Sequence, residues 1–514
     1  MPSSIDFSGR PFHFLGIGGI GMSALAYILA KRKLPVYGSD IRSSHITQRL
    51  QELGAHIFWR QDASNLEFFK PANDKSNEVN ISGDSSQELR TSQQQEDKEP
   101  QLANRRHQLP QVICSTAIQP NNSEYRAALD MGCPIFHRSD VLAALLEDYQ
   151  SIAVAGTHGK TTTSSLIGYL LLQAGLDPTI VVGGEVKAWE GNARQGNGPY
   201  LVAEADESDG SLAKLSAYIG VVTNIELDHP DHYQSLEQVV RVFQIFAQRC
   251  KILVGSIDCP TVKKQLKPTI SYSLNKENNA DYTVDCIAYR GDGTTARVWE
   301  RGEILGQLNL KLLGQHNLSN ALAAVAVGRL LGLDFSTIAT ALATFEGARR
   351  RFEYKGEANG IVFVDDYAHH PSEIRATLAA ARLQSNTAGS SPRKRIVAIF
   401  QPHRYSRTLK FLDDFARSFS DADVVVVSDI YSAGEPDLSQ VSGQQVADSI
   451  AANHNRVYYK PTLKSISAFL SEILQPGDLA LFLGAGNLNQ VIPEVLSFHQ
   501  TVERDMATEI RYLA

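Results

Sequence analysis

The sequence predicts an α/β protein of three domains, on three observations. A chain of 514 residues exceeds what a single hydrophobic core organises, and roughly 100–200 residues per domain gives about three. Short apolar runs alternate with helical runs in three separate stretches, the pattern of mainly parallel sheets. Two of those stretches contain a strand, a glycine turn and a helix in immediate succession, at 12–30 and 152–171. Such a unit turns backbone N–H groups and a helix N-terminus toward an anion. The domains expected are 1–138 and 348–514, both Rossmann-like, flanking a phosphate-loop domain with a mainly parallel sheet at 139–347.

Composition narrows the class. A hydrophobic fraction of 43% with 20% charged residues is ordinary for a soluble globular chain. The net charge of -7 argues against a general nucleic-acid or membrane-surface binder. The first residues lack a basic start followed by an apolar core, and no stretch approaches eighteen uninterrupted apolar residues, so a cytoplasmic location without membrane insertion is expected. Cys114, Cys133, Cys250, Cys259 and Cys286 are odd in number and form no Cys-x-x-Cys, which fits reduced thiols.

In the first domain a strand at 12–17 runs into Gly16-Ile17-Gly18-Gly19-Ile20-Gly21, and a helix follows from Met22. A second strand ends in Ser39 and Asp40, where a dinucleotide fold holds ribose hydroxyls. Gly18, Gly19, Ile20, Gly21, Ser39 and Asp40 are therefore candidate contacts. The turn suits NAD or a UDP-sugar equally, so it fixes the ligand's shape and not the chemistry. From 73 to 107 the only large apolar residues are Val79, Ile81, Leu89 and Leu102. No core forms from that, and a disordered surface insertion is expected. A strand at 112–115 then delivers Ser115 at its C-terminal end, where ligands of open parallel sheets collect.

The middle domain opens on Ile152-Ala-Val-Ala-Gly-Thr-His-Gly-Lys-Thr-Thr-Thr163. Gly156, Thr157, His158, Gly159, Lys160, Thr161 and Thr162 form a loop for a nucleoside triphosphate, with the Lys160 ammonium on the outer phosphates and the Thr161 hydroxyl on Mg2+. The loop is a short variant, since Val154 stands where the general pattern has its first glycine. A strand at 200–203 ends in Glu204-Ala205-Asp206-Glu207-Ser208-Asp209, and Glu204 is placed to hold Mg2+ or orient its water. Another strand leads into 224–232, where His229 is a candidate metal or phosphate ligand. Asn317 and Asn320 stand one turn apart at the head of an alanine-rich helix, facing one ligand, although Asn317 also fits a helix cap.

The third domain begins near Arg349-Arg350-Arg351-Phe352. A strand at 361–364 ends in Asp365-Asp366-Tyr367-Ala368-His369-His370-Pro371, and one at 396–400 ends in Gln401-Pro402-His403-Arg404-Tyr405-Ser406-Arg407-Thr408. Arg404 and Arg407 together suit a carboxylate or phosphate.

Six motifs in this order, 16–22, 156–162, 204–209, His316-Asn317 with Asn320, 365–371 and 401–408, resemble those of the Mur ligases over nearly the whole chain; the insertion at 73–107 departs from the family pattern. The resemblance implies ATP-dependent joining of L-alanine to the carboxylate of UDP-N-acetylmuramate through an acyl phosphate. It implies Mg2+ on Thr161 and Glu204 with His229 near a second ion, and Lys160 on the transferred phosphoryl. Asn320 would read adenine, with Asn317, Arg351 and Asp366 also holding ATP. Tyr367, His369, His403, Arg404 and Arg407 would surround the alanine, with His369 and Arg404 close to the reaction. Asn192 and Arg194 would join Ser115 and the first glycine turn on the UDP-sugar. The lysine carbamate usual in the family is generally absent from this branch. A monomer or weak homodimer without nucleic acid is expected. Two alternatives stay open: a sister Mur ligase adding a peptide to the same UDP-sugar, and an NAD-dependent oxidoreductase, which would leave the triphosphate loop idle.

Overall fold

The computed structural model describes residues 4–70, 109–385, 394–437 and 439–513. The insertion expected at 73–107 lies outside them. The chain divides into two compact units, Met1–Leu145 and Leu146–Ala514.

The first unit is one parallel sheet of β1 (Phe12–Leu15), β2 (Val36–Ser39), β3 (His56–Phe58), β4 (Gln111–Cys114) and β5 (Ile135–His137), in the order β3-β2-β1-β4-β5. Phe12, Phe14 and Leu15 are wholly buried because both faces of a parallel sheet are covered. The helix Ile20–Lys31 packs Ala24, Leu25, Ile28 and Leu29 into the core. Gly16 sits at φ 76°, a conformation glycine adopts without steric cost, and turns the chain from β1 toward that helix.

Beneath this turn lies a buried polar knot. The Glu124 carboxylate, with no exposed surface, pairs with His13 Nε2 at 2.7 Å and accepts from the Ser39 hydroxyl at 2.6 Å and the Asn65 amide at 2.9 Å. Glu124→Ala would strand His13 and the Ser39 hydroxyl and leave the Asn65 amide with only its bond to Arg60 O. We expect a loss of about 3 kcal/mol or more in unfolding free energy, measured by urea denaturation.

The second unit holds two sheets. The larger contains β6 (Gln150–Ala155), β7 (Thr179–Val186), β8 (Gly191–Arg194), β9 (Tyr200–Glu204), β10 (Ala217–Val222), β11 (Cys250–Ser256), β12 (Ile270–Ser273), β13 (Tyr282–Arg290), β14 (Gly293–Glu300) and β15 (Glu303–Leu310). Their order is β15-β14-β13-β12-β11-β10-β6-β9-β7-β8, parallel from β13 through β7, with antiparallel additions at each edge. β6 lies between β10 and β9. Val154 is in register with Glu204 on one side, and Ala155 with Val222 on the other. The phosphate loop, Glu204 and the 223–232 segment therefore leave the same sheet edge from three neighbouring strands.

The smaller sheet contains β16 (Glu353–Ala358), β17 (Ile361–Asp366), β18 (Ile396–Phe400), β19 (Val424–Val427), β20 (Val457–Tyr459) and β21 (Leu479–Leu483), in the order β16-β17-β21-β18-β19-β20. Only β16 runs antiparallel. Asp366 and Phe400 both align with Leu483, so the segments after β17 and β18 emerge on either side of one strand. Among the described residues no helix is long and apolar enough to cross a membrane. All five cysteines are free thiols.

Candidate active site

The phosphate loop is shaped by two glycines in left-handed or extended positive-φ geometry, Gly156 at 142° and Gly159 at 82°. A Cβ on Gly159 would stand 2.6 Å from Asn320 Oδ1, and one on Gly156 would strike the Thr223 side chain. Gly159→Ala should therefore cost about 1–3 kcal/mol from the backbone alone, with nucleotide affinity falling as well, read by unfolding and by nucleotide titration. Lys160 opens the helix Lys160–Gln173. Its ammonium donates to Gly156 O at 2.6 Å, Thr157 O at 3.2 Å and Glu207 at 2.9 Å. Burial opposes that charge, but Glu207, Asp206 and Glu204 outweigh it and hold the lysine above its ordinary value. Burial likewise pushes Glu207 up to about 7 against the pull of Lys160.

Three potential metal donors of different kinds follow neighbouring strands at this edge: the Thr161 hydroxyl after β6, the Glu204 carboxylate at the end of β9 and the His229 imidazole after β10. Glu204 Oε2 accepts from Gly183 N–H at 2.7 Å, which aims the carboxylate. His229 adopts φ 53°, an uncommon conformation for a non-glycine residue. Burial lowers its pKa despite Asp228, leaving a neutral ring. That donor set fits Mg2+ beside a triphosphate.

The third sheet reaches the same place. Arg350 and Phe352 both take positive φ, at 58° and 51°. Asp366 fixes the turn between them, accepting from Phe352 N–H at 2.7 Å, Ala368 N–H at 2.8 Å and the Thr377 hydroxyl at 3.2 Å. Arg351 is thereby presented to the phosphate loop, where its guanidinium donates to Thr161 Oγ1 at 3.4 Å, and it also lies over the Tyr367 ring at 5.0 Å. The resemblance implies that Asp366 helps to hold ATP; the residue is 7% exposed, and its carboxylate accepts the three bonds that set the turn carrying Arg351.

Tyr367, His369, His403, Arg404 and Arg407 come together at the ends of β17 and β18. The His369 and His403 rings meet edge to face at 5.6 Å, and His403 stacks on Tyr431 at 5.8 Å. Burial lowers the pKa of both histidines, His369 to about 4. His369 Nδ1–H donates to Tyr367 O at 2.9 Å, which leaves Nε2 as an acceptor. The two arginines differ from expectation. Arg407 is buried, with Nε on Asp228 at 2.8 Å and Nη1 against His403 Nδ1 at 3.1 Å. Burial would raise Asp228, yet the Arg407 guanidinium carries its carboxyl well below the usual range. Arg404 uses Nη1 for Asp231 at 2.9 Å and Glu435 at 3.3 Å. Of the two, Arg404 keeps its Nε–Nη2 edge without a hydrogen bond while Arg407 spends Nε on Asp228, so the expected joint fork reduces to one arginine with a buried companion.

Other candidates fall as follows. Thr162 is buried in the first helical turn, and Thr157 N–H donates to Asn224 O at 3.0 Å. His158 stands between Glu226 at 3.4 Å and Glu373 at 3.3 Å. Burial would depress it, but the two carboxylates raise it to about 10. Asn317 turns its amide to Leu313 O at 2.9 Å and accepts from the Asn320 amide at 3.4 Å, and Asn320 stands against Gly159 of the phosphate loop. In the first unit, Asp40 Oδ2 accepts from Gly18 N–H at 2.8 Å and closes the glycine turn. Ile20 and Gly19 lie exposed on that turn, Gly21 faces Arg138, and Ser115 is half-buried after β4. Ser39 is wholly buried with its hydroxyl on Glu124; it supports the turn from below. Asn192 is buried on β8, while Arg194 is paired with Asp177 at 2.5 Å. Sequence reasoning missed Glu207, Glu226, Asp228, Glu373 and Glu435. Glu373 had a signal, four residues after His369 on one helix; the others are paired only through tertiary contact.

A triphosphate loop whose metal donors abut a cluster able to grip an amino acid is the arrangement of an amide-forming ATP-dependent ligase. The chain belongs to the Mur ligase family: the Mur ligase family catalytic domain matches residues 11–150, the Mur ligase middle domain 154–328, and the Mur ligase glutamate ligase domain 350–486. It is 66% identical to the UDP-N-acetylmuramate–L-alanine ligase of Nostoc punctiforme, over 97% of this chain and 98% of that one. The enzyme of the same name from Gloeothece citriformis is 64% identical over 97% and 99%. Among solved structures, the UDP-N-acetylmuramate-alanine ligase of Thermotoga maritima superposes with a TM-score of 0.74 at 28% identity, covering 97% of this chain and 99% of that chain.

Proposed function

We propose that this chain joins L-alanine to the carboxylate of UDP-N-acetylmuramate with hydrolysis of ATP to ADP and phosphate, a step in building peptidoglycan precursors. The observation that carries the reading is the Arg407–Asp228 contact. Asp228 adjoins His229, so the amino-acid cluster is bonded to the segment that supplies a metal donor beside the phosphate loop. The activity named for the relatives at 66% and 64% identity supports L-alanine over a peptide as the incoming group.

On this reading the turn of residues 1–138 binds the UDP-sugar, 139–347 binds ATP, and 348–514 binds L-alanine. Thr161, Glu204 and His229 would hold Mg2+, which supplies positive charge to the transferred phosphoryl group. The sugar's carboxylate attacks the γ-phosphorus and ADP departs, giving an acyl phosphate. Lys160 and Arg351 then spread the developing negative charge over two cations. Arg404 holds the alanine carboxylate, and His369 Nε2 accepts a hydrogen bond from the amine as it attacks the acyl carbon and phosphate leaves. The protein works in the cytoplasm, as a monomer or weak homodimer. Phosphate release with UDP-N-acetylmuramate, ATP and a panel of L-alanine, glycine, L-serine and the free tripeptide L-alanyl-γ-D-glutamyl-meso-diaminopimelate tests the assignment. L-alanine should give the highest kcat/KM; a preference for the tripeptide would make the chain a peptide-adding ligase instead.

A further inference from the structure

Outside the expected Mg2+ donors, three other side chains converge from distant parts of the second unit. His158 comes from the phosphate loop, Glu226 from the segment after β10, and His370 from the turn ahead of the helix Pro371–Ser385. One ligand atom from each lies within 4.8 Å of the other two. His158 Nε2 and Glu226 Oε2 are 3.4 Å apart, the edge of a tetrahedron whose bonds are about 2.1 Å. The two imidazole rings have centroids 4.7 Å apart. His370 Nε2 is buried without a hydrogen-bond partner, with His370 4% exposed, and His158 Nε2 has the Glu226 carboxylate as its one near neighbour of opposite charge. Buried ring nitrogens left unbonded are uncommon and ask for an occupant.

We propose that His158, Glu226 and His370 form a zinc-class metal site that ties the phosphate loop to the C-terminal sheet. Two imidazoles and one carboxylate suit Zn2+ rather than Mg2+, which prefers oxygen ligands. The surroundings match what such ligands require. Glu373 lies 3.3 Å from His158 Nδ1, the carboxylate–histidine arrangement that leaves Nε2 free to ligate. The Ser372 hydroxyl donates to Glu226 Oε2 at 2.8 Å and fixes its orientation. A cavity of about 210 Å³ lined by Glu226, His370, Ser372, Arg375, Phe411 and Asp414 offers the open position for water. The Ser372 N–H stands 3.3 Å from His370 Nδ1; ligation through Nε2 moves the ring proton to Nδ1 and gives up that long contact. A bound cation also takes over the place of the positive charge that His158 otherwise holds between Glu226 and Glu373.

The test uses the full chain, stripped with a chelator and titrated with Zn2+ in competition with a chromophoric chelator. Wild type should bind one equivalent more than either His370→Ala or Glu226→Gln, and Zn2+ should raise its Tm more than theirs. Co2+ in place of Zn2+ should give wild type the visible absorption of a four-coordinate ion, and His370→Ala should lack it. Glu226→Gln preserves side-chain volume, so it decides the matter if His370→Ala folds poorly by circular dichroism. Equal stoichiometry and identical Co2+ spectra in wild type and a folded variant would overturn the site. None of these readouts depends on turnover, so the result stands apart from the ligase assignment.

Discussion

Lys160→Ala should lower kcat by about a hundredfold or more, equivalent to roughly 2.7 kcal/mol of lost transition-state stabilisation. Phosphoryl transfer leaves the protein little to do except position charge, and Lys160 is the phosphate loop's own cation. In the structure its ammonium is held by two loop carbonyls and Glu207, so an arriving triphosphate meets a cation already placed. The same geometry gives the substitution a second consequence. Glu207 is 2% exposed, and without Lys160 it is a buried carboxylate lacking its counter-ion. Breaking such a pair is strongly destabilising, so the single variant loses stability as well as rate. Lys160→Ala/Glu207→Gln separates the two effects: the second change should restore much of the unfolding free energy and none of the kcat. Turnover near wild type in the double variant, measured by phosphate release, would remove Lys160 from the reaction.

Much of this was legible because it depends on local pattern. The phosphate loop, the glycine turn after β1 and the polar ends of β9, β17 and β18 each follow from a strand that stops where apolar residues give way to Gly, Glu, Asp or Gln. Such signals also place Glu204, His229 and Arg404 at a parallel sheet's C-terminal edge, where ligands gather. What the sequence could not provide was the partner of each charge. Ser39 reads as a ligand contact by position, but Glu124, 85 residues on, takes its hydroxyl. Arg407 reads as one tine of a fork, but Asp228, 179 residues away in sequence, holds its Nε. Asp366 stands at a strand tip like Glu204, yet its neighbours' N–H groups fill it. Pairings across such separations are decided by the packing of sheets, and no residue spacing encodes them.

Arg404→Lys should raise the KM for L-alanine by about tenfold or more, a loss of roughly 1.4 kcal/mol or more, with little change for ATP or the UDP-sugar. Arg404 and Arg407 are unequal, and that inequality selects the residue. Arg407 is buried and committed to Asp228 and His403, so replacing it would disturb packing first. Arg404 is about a third exposed and spends only Nη1, on Asp231 and Glu435. Its Nε and Nη2 form the planar edge that a carboxylate engages through both oxygens. A lysine at 404 keeps the charge, and its ammonium can still meet Asp231, but it has no second parallel donor for the amino acid. Binding of alanine should therefore weaken while the acyl phosphate still forms, because that step needs no amine. Isotope exchange or trapping of the acyl phosphate in the absence of alanine should match wild type. If the KM for ATP rises instead and that for alanine holds, Arg404 serves the nucleotide, and the cluster at the ends of β17 and β18 is not the amino-acid site.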